Sequence, residues 1–511
     1  MGGSPMSFAA RCGIDSPARR AAAAQAARLI EASGIEQVRF SWCDQHGALR
    51  GKTLMPQGAI KSMDEGVGLV STLLLKDTSD RTCWKVFEAG GVADLPGFEA
   101  APNLLLLPDL ASYRQLPWAR KTAWFQCQPW FQDGRPVALD TRRVLQTALA
   151  RLQAQGLAMQ CGLEVEFHIY RINPAAGAQG QDPLDPEHAA WPGLPPPVSM
   201  IHSGYNLLSE AWGDQCHAPL QIVQQTAQAL GLPLLSLEIE LGPSQVEAVF
   251  GVTDALAAAD NMVLFRSAVT QALRRAGYLA TFMCRPPFPN IMSSGWHLHQ
   301  SLVQLPVSRQ SLADIKNDSN AFMRGAPAEG TSPRDAQFTL SGIGDQYLAG
   351  LLDHATGMAA LAVPTVNGFE RFSANRLAPN AINWGRDNRG AMLRVIGQAG
   401  DPSTRIENRV GEPAANPYLY IASQIHAGLD GITRQLKSPP ASDSPYDGTR
   451  PRLPASLGEA VTALRADSAL AQGLGLEFVN YYTHIKQAEI ARFEAAQDKL
   501  DWQRREYFSR I

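Results

Sequence analysis

Several features that would decide a protein's class are scarce or missing in this chain. No apolar run approaches the roughly 20 residues that a membrane helix needs, so a bilayer-spanning protein is not expected. The seven cysteines are odd in number and scattered, with no Cys-x-x-Cys pair. They fit a reduced, cytoplasmic setting better than a disulfide framework. Neither sign of charge prevails: 45 Lys and Arg nearly balance 48 Asp and Glu, for a net charge of −3. General nucleic-acid binders usually carry a basic stripe, so none is expected here. The N-terminus lacks a charged-then-apolar leader pattern, because the Ala-rich run Ala21–Ala27 is broken by Gln25. There is no Gly-x-x-x-x-Gly-Lys-Ser/Thr loop, which argues against a generic kinase-type ATP enzyme, and no internal repeat.

What the chain does have is length, apolar content and three short charged stretches. It has 511 residues, 45% hydrophobic and 18% charged, enough for one large domain or more than one. The stretches are Gly162-Leu-Glu-Val-Glu-Phe167, Ser294-Gly-Trp-His-Leu-His299 and Arg405-Ile-Glu-Asn-Arg409. Each repeats a charged or ligating residue at every second position. On a β-strand such residues share one face, about 7 Å apart. Unpaired carboxylates placed so closely repel one another and are costly to bury. Divalent cations and phosphates resolve that conflict, so the chain reads as a metal- and phosphate-handling enzyme.

The pattern along the chain is α+β, with helices segregated from mostly antiparallel strands. Ser16 and Pro17 open a helix running to about Ser33. Val38–Trp42 and Ala48–Leu54 read as a hairpin around Asp44-Gln-His-Gly47, and Leu104–Leu107 and Ala123–Cys127 as further strands. A breaker cluster at Asp133–Pro136 suggests a domain boundary: tail and helix over 1–34, one domain over 35–135, another over 136–511. In the second, helices are expected over Thr141–Gln155, Asp214–Leu230, Thr253–Ala276, Asp345–Met358, Asn416–Lys437 and Leu470–Asp501. Strands are expected over Leu234–Phe250 (two, around Gly242-Pro243), Leu279–Met283, Gly295–Leu302 and Arg389–Arg409, with loops over 173–197 and 306–335.

Six positions make a candidate ligand set: Glu164, Glu166, Glu240, Glu247, His297 and Glu407. Five carboxylates and one neutral imidazole suit Mg²⁺ or Mn²⁺ better than Zn²⁺. Two ions with three protein ligands each would leave positions open for phosphate oxygens and water. Singly, each residue has an ordinary explanation: Glu-x-Glu on a strand is most often a solvated face, and Glu407 between two arginines is a local salt-bridge pattern. Their joint order carries the argument.

In that order the motifs resemble the glutamine synthetase family, the bacterial type I branch and its relatives, over roughly residues 35 to 500. The resemblance rests on Asp44-x-x-Gly47 with Arg50-Gly-Lys52, Gly162-x-Glu-x-Glu-Phe167, Glu240-x-Gly-Pro-x-Gln-x-Glu247, Ala280–Met283 and Ser294-Gly-x-His-x-His-Gln-Ser301. Trp384-Gly-x-Asp-Asn-Arg389, Arg405-Ile-Glu407 and Glu412–Tyr418 complete it. It implies a small β-grasp-like N-terminal domain and a large catalytic domain whose antiparallel sheet forms a funnel at a subunit interface, within homo-oligomeric rings of dodecamer type. It implies ATP, glutamate and two Mg²⁺ or Mn²⁺ ions. Carried over, Glu166, Glu240 and Glu247 hold one ion, and Glu164, His297 and Glu407 the other. Arg371 binds the glutamate α-carboxylate and Arg409 its side-chain carboxylate. Arg389 and Arg394 stabilise the transferred phosphoryl group, Ser301 and Arg405 seat ATP, and Asp44 takes a proton from the nitrogen in the neighbouring subunit's site.

Two departures stand on the nitrogen side. The family's loop glutamate that closes the ammonia site is Leu377 here, and the Asn preceding the histidine motif is Met292, with Trp296 also beside it. An apolar wall favours apolar substituents, at roughly 0.8 kcal/mol per buried CH₂. The expectation is therefore a γ-glutamylamide ligase, of the kind represented by γ-glutamylanilide synthases and γ-glutamylpolyamine synthetases, with a neutral aromatic or alkyl amine such as an aniline favoured. The alternatives are glutamine synthesis from ammonia, a polyamine substrate, or a non-catalytic ring-forming homologue.

Overall fold

Alternation in short apolar runs sets the first layer. The computed structural model describes residues 6–173, 186–305, 319–325, 340–373, 377–448 and 450–511. A helix spans Pro17–Ala32, its first turn capped by the Ser16 hydroxyl, which accepts from Arg19 N at 3.1 Å. Strands β1 (Gln37–Cys43) and β2 (Leu49–Leu54) form the expected hairpin, followed by β3 (Val67–Val70), β4 (Asn103–Pro108), β5 (Arg114–Gln115) and β6 (Thr122–Trp130). The sheet order is β2-β1-β6-β4-β3, with β1 and β6 parallel and β5 attached to β6. A hairpin, a helix over Pro56–Glu65 and a parallel strand beside β1 give the β-grasp-like arrangement. That helix has no counterpart among the sequence expectations; Pro56 in its first turn and buried Ala59 and Met63 four residues apart were its signals.

The second sheet contains β7 (Leu157–Ile172), β8 (Val198–Met200), β9 (Leu234–Ile239), β10 (Gln245–Asp254), β11 (Tyr278–Thr281), β12 (Trp296–Gln304), β13 (Trp384–Arg386), β14 (Leu393–Ile396) and β15 (Arg405–Asn408). Its order is β13-β14-β15-β12-β7-β10-β9, with β8 and β11 pairing β7, and every pair except β13–β14 is antiparallel. Alternate residues divide its faces. Val165, Phe167, Val246, Ala248, Leu298 and Ile406 are fully buried. Phe167 and Phe250 meet Phe265 of the Ala255–Arg275 helix edge-on, at centroid separations of 6.0 and 4.9 Å. The opposite face keeps the polar partners of these residues.

Helix extents differ from expectation where a single residue interrupts the turn. The Asp214–Leu230 and Asp345–Met358 segments each split in two, at Cys216 and His354. Leu470–Asp501 breaks at Gly475, whose φ of +96° closes the preceding helix, and again after Ala495. A helix over Leu457–Ala466 was not anticipated. Of the two expected loops, residues 174–185, 306–318 and 326–335 lie outside the described residues.

Candidate active site

Strand register brings the charged residues together. Glu164 on β7 lies opposite His297 on β12, and Glu166 lies opposite Glu247 on β10. Glu247 in turn lies opposite Glu238 on β9. On the other side His299 faces Glu407 on β15, and Glu407 faces Arg394 on β14. The result is a row of acids and imidazoles across five neighbouring strands, on the face opposite Val165 and Leu298. Ligand atoms of Glu164, His297 and Glu407 all lie within 4.8 Å of one another, and so do those of Glu166, Glu247 and His297.

The electrostatics fit a cation-binding floor. Burial, then the neighbouring Glu166, Glu164 and Glu240, push Glu247 up to about 10. Burial, then Glu240, raises Glu166 to about 7. These carboxylates cannot all ionise without an added positive charge. Burial and Arg409 push His297 down to about 4, so its imidazole is neutral, with a lone pair to offer. His299 lies beside it: Arg405 Nε donates to its Nδ1 at 3.1 Å, and its Nε2 stands 2.9 Å from Glu164 Oε1. An oxygen-rich set with one nitrogen fits Mg²⁺ or Mn²⁺ in two adjacent positions.

The Glu164, His297 and Glu407 trio is the expected one, and His297 also stands within 4.8 Å of Glu166 and Glu247. Glu240 follows the end of β9, where its backbone turns through Gly242-Pro243 and its Oε2 accepts from Leu241 N at 3.0 Å. It lines the same cavity, of about 670 Å³, as Glu164, Glu166 and Glu247.

The arginines surround the acids unequally. Arg371, Arg389 and Arg409 line the cavity. Arg371 Nη1 donates to the carbonyls of Arg409, Val410 and Gly411 at 3.0, 2.9 and 2.9 Å, which fixes the guanidinium rigidly. Gly295 is required beside it, because a Cβ there would stand 2.2 Å from Arg371 Nη2. Arg409 pairs with Glu407 Oε1. Arg394 bridges Glu407 Oε2 at 3.0 Å and Asp387. Burial alone would raise Glu407, but His297, Arg409, His299 and Arg394 hold it below the usual carboxylate range. Ser301 follows His299 by two positions on β12 and shares its face.

Trp296 and Asp44 lie away from the acid row of their own chain, as the neighbouring-subunit role expected for Asp44 requires of it. Trp296 alternates with His297 and so faces the helices: it is fully buried, edge-on to Tyr420 at 5.1 Å. It is no part of an amine pocket. Asp44 lies in a separate cavity of about 250 Å³ beside the Ala255–Arg275 helix. Its Oδ1 accepts from His46 N and Ala48 N, both at 2.9 Å, and its Oδ2 pairs with Arg50 Nε at 2.7 Å. Within one chain it caps the hairpin turn and does not reach the acid row. Leu377 and Met292 do line the main cavity. Glu238 and His299 were missed as site residues; Glu238-x-Glu240 repeats the spacing of Glu164-x-Glu166 and was the available signal.

Comparison with known proteins agrees with this geometry. Residues 138–507 match the family pattern of the glutamine synthetase catalytic domain. The chain is 35% identical to a γ-glutamylanilide synthase from Acinetobacter sp. over 497 residues, covering 94% of each. It is 28% identical to a glutamate–isopropylamine ligase from Pseudomonas sp., covering 90% of this chain and 93% of the relative. A solved structure of GmaS without ligand superposes with a TM-score of 0.72 at 27% identity, covering 94% of this chain and 98% of the other. With a catalytic-domain match over most of its length and an acid row on the sheet that carries it, the chain belongs to the glutamine synthetase family of ligases.

Proposed function

We propose that this chain joins glutamate to an organic amine, an aromatic or alkyl amine rather than ammonia, at the expense of ATP and through a γ-glutamyl phosphate. The observation that carries the reading is Leu377, a leucine in the wall of the cavity whose floor is the acid row. A leucine neither attracts ammonium nor accepts its proton. The names of the relatives, a γ-glutamylanilide synthase and a glutamate–isopropylamine ligase, support the same substrate class.

A carboxylate is a poor acyl donor, and phosphorylation makes it a good one. Negative charge gathers on the γ-phosphoryl oxygens in that step. Arg389 and Arg394 are assigned to that charge, and their planar forks match phosphate geometry. Arg371 and Arg409 are assigned to the α- and side-chain carboxylates of glutamate, and Arg405 and Ser301 to ATP. Glu164, His297 and Glu407 would hold one divalent cation, and Glu166 and Glu247, with Glu240 close by, a second. Bound there, the cations supply further neutralisation of the phosphate oxygens. Arg371, already anchored on three carbonyls, needs no reorganisation to receive a substrate carboxylate. Asp44 acts only if a second copy inserts its hairpin into this cavity, so the reading includes a ring-forming homo-oligomer. Seven unpaired cysteines support a reducing cytoplasmic location, and among the described residues no helix is long and apolar enough to cross a membrane.

Phosphate release from ATP and glutamate, measured with ammonium, aniline, isopropylamine and putrescine in turn, tests the reading. Aniline or isopropylamine is expected to exceed ammonium in kcat/KM by about tenfold or more, the order expected when apolar contacts select the substrate. Turnover with ammonium alone would overturn it.

A further inference from the structure

Resting on that reading, a second feature of the same cavity bears on where the organic part of the amine sits. Leu207, Leu208 and Leu377 are 51%, 61% and 67% exposed, and all three line the cavity over the acid row. Leucines are commonly buried, and three exposed ones converging on a single hollow make an apolar patch that folding does not account for. Two of them are also held in an unfavourable backbone conformation: φ is +56° at Leu208 and +59° at Leu377. The left-handed region disfavours a leucine, whereas glycine or asparagine enters it readily. Strain of this kind at exposed positions gathers at ligand sites.

The segment is positioned rather than loose. Tyr205 N donates to Leu241 O at 2.6 Å and Leu208 N to Ile239 O at 3.0 Å, so the chain runs alongside the end of β9. The Tyr205 hydroxyl donates to Asn290 O at 2.5 Å and anchors the other side. The same end of β9 carries Glu238 and Glu240. A ligand at this place meets carboxylates and leucines together, the complement of an amine nitrogen joined to an apolar group.

We infer that Leu207 and Leu208 form, with Leu377, the wall that receives the amine's organic substituent, and so determine which amines are selected. The segment is a specificity element, and its leucines are kept at the cost of a strained backbone.

The test compares Leu208→Asn, Leu207→Ser and the control Leu235→Ser. Leu235 is 71% exposed on β9 and does not line this cavity. The readout is the kcat/KM ratio of aniline to methylamine, with ATP and glutamate saturating. Leu208→Asn and Leu207→Ser are expected to lower that ratio about tenfold, chiefly through KM for aniline. Leu235→Ser is expected to leave it unchanged. Leu208→Asn should melt at the same temperature as the parent or higher, because asparagine relieves the backbone; a purely structural leucine would melt lower. An unchanged ratio in both variants, with aniline still a good substrate, overturns this inference alone. Loss of assembly with the ratio intact also overturns it, because the leucines would then be a subunit contact. A parent enzyme that uses ammonium alone overturns the proposed function and this inference with it.

Discussion

At the residue scale, side-chain alternation separates function from packing along a single strand. His297 and His299 face the acids, while Trp296, the neighbour before His297, is buried against Tyr420. The spacing of two that exposed the histidines should also have removed Trp296 from the pocket, because neighbours on a strand face opposite ways. Trp296→Ala is therefore expected to cost about 3–5 kcal/mol of stability in denaturant titration. Its amine preference should stay that of the parent; a changed preference at full stability would contradict the assignment. Glu164 contacts both His297 and His299, and those contacts hold it below the ordinary carboxylate range despite burial. Glu164→Ala is expected to lower ATP-dependent phosphate release by about 10²-fold or more, with the oligomer unchanged in size by light scattering. Retained phosphate release would remove Glu164 from the ligand set.

At the scale of elements, strands were more legible than helices. Glu-x-Glu, His-x-His and Arg-x-Glu-x-Arg all sit on strands of one sheet because a period of two has no helical counterpart. Which acid stands beside which imidazole is decided by register, which was not legible: it sets His297 opposite Glu164 and Glu166 opposite Glu247. Helix ends failed where one residue interrupts a continuous pattern. His354 separates Gly342–Asp353 from Ala355–Ala362, and its ring meets Asp467 Oδ2 at 2.7 Å and Asp430 Oδ2 at 2.9 Å. Burial works against its charged form, but the two aspartates prevail and raise it above 6.5. A histidine raised on folding contributes stability that is full below its unfolded value and fades as pH climbs through the folded one. The melting-temperature gap between parent and His354→Gln is thus expected to be widest below pH 6.5 and to narrow as the pH rises above it. A gap that grows with pH would contradict the charged state assigned to His354.

At the scale of the molecule, one buried arginine ties the two sheets' regions together. Arg266 Nη1 donates to the carbonyls of Pro413 and Ala415 at 2.8 and 2.9 Å, and Nη2 to Gly47 O at 2.9 Å. Gly47 must be glycine: its φ is +83°, and a Cβ would stand 2.4 Å from Arg266 Nη2. The hairpin turn bearing Asp44 is thereby fixed to the segment that follows Arg409 and Gly411. Arg266→Met should cost about 3 kcal/mol by leaving buried carbonyls unpaired, measured by chemical denaturation. The family resemblance reached the fold and the acid row because both depend on residues within one chain. It could not reach the Leu207–Leu208 wall, which is set by how that segment runs along β9.

The central claim is that an acid row able to activate glutamate sits beneath an apolar wall that selects the amine. One competition experiment addresses it directly. Parent and Leu377→Glu are each given ATP, glutamate and equal concentrations of ammonium and aniline, and products are quantified by mass. The parent should form mainly γ-glutamylanilide, and Leu377→Glu should shift toward glutamine by about tenfold. Glutamine as the dominant product of the parent, or no shift in the variant, would contradict the account.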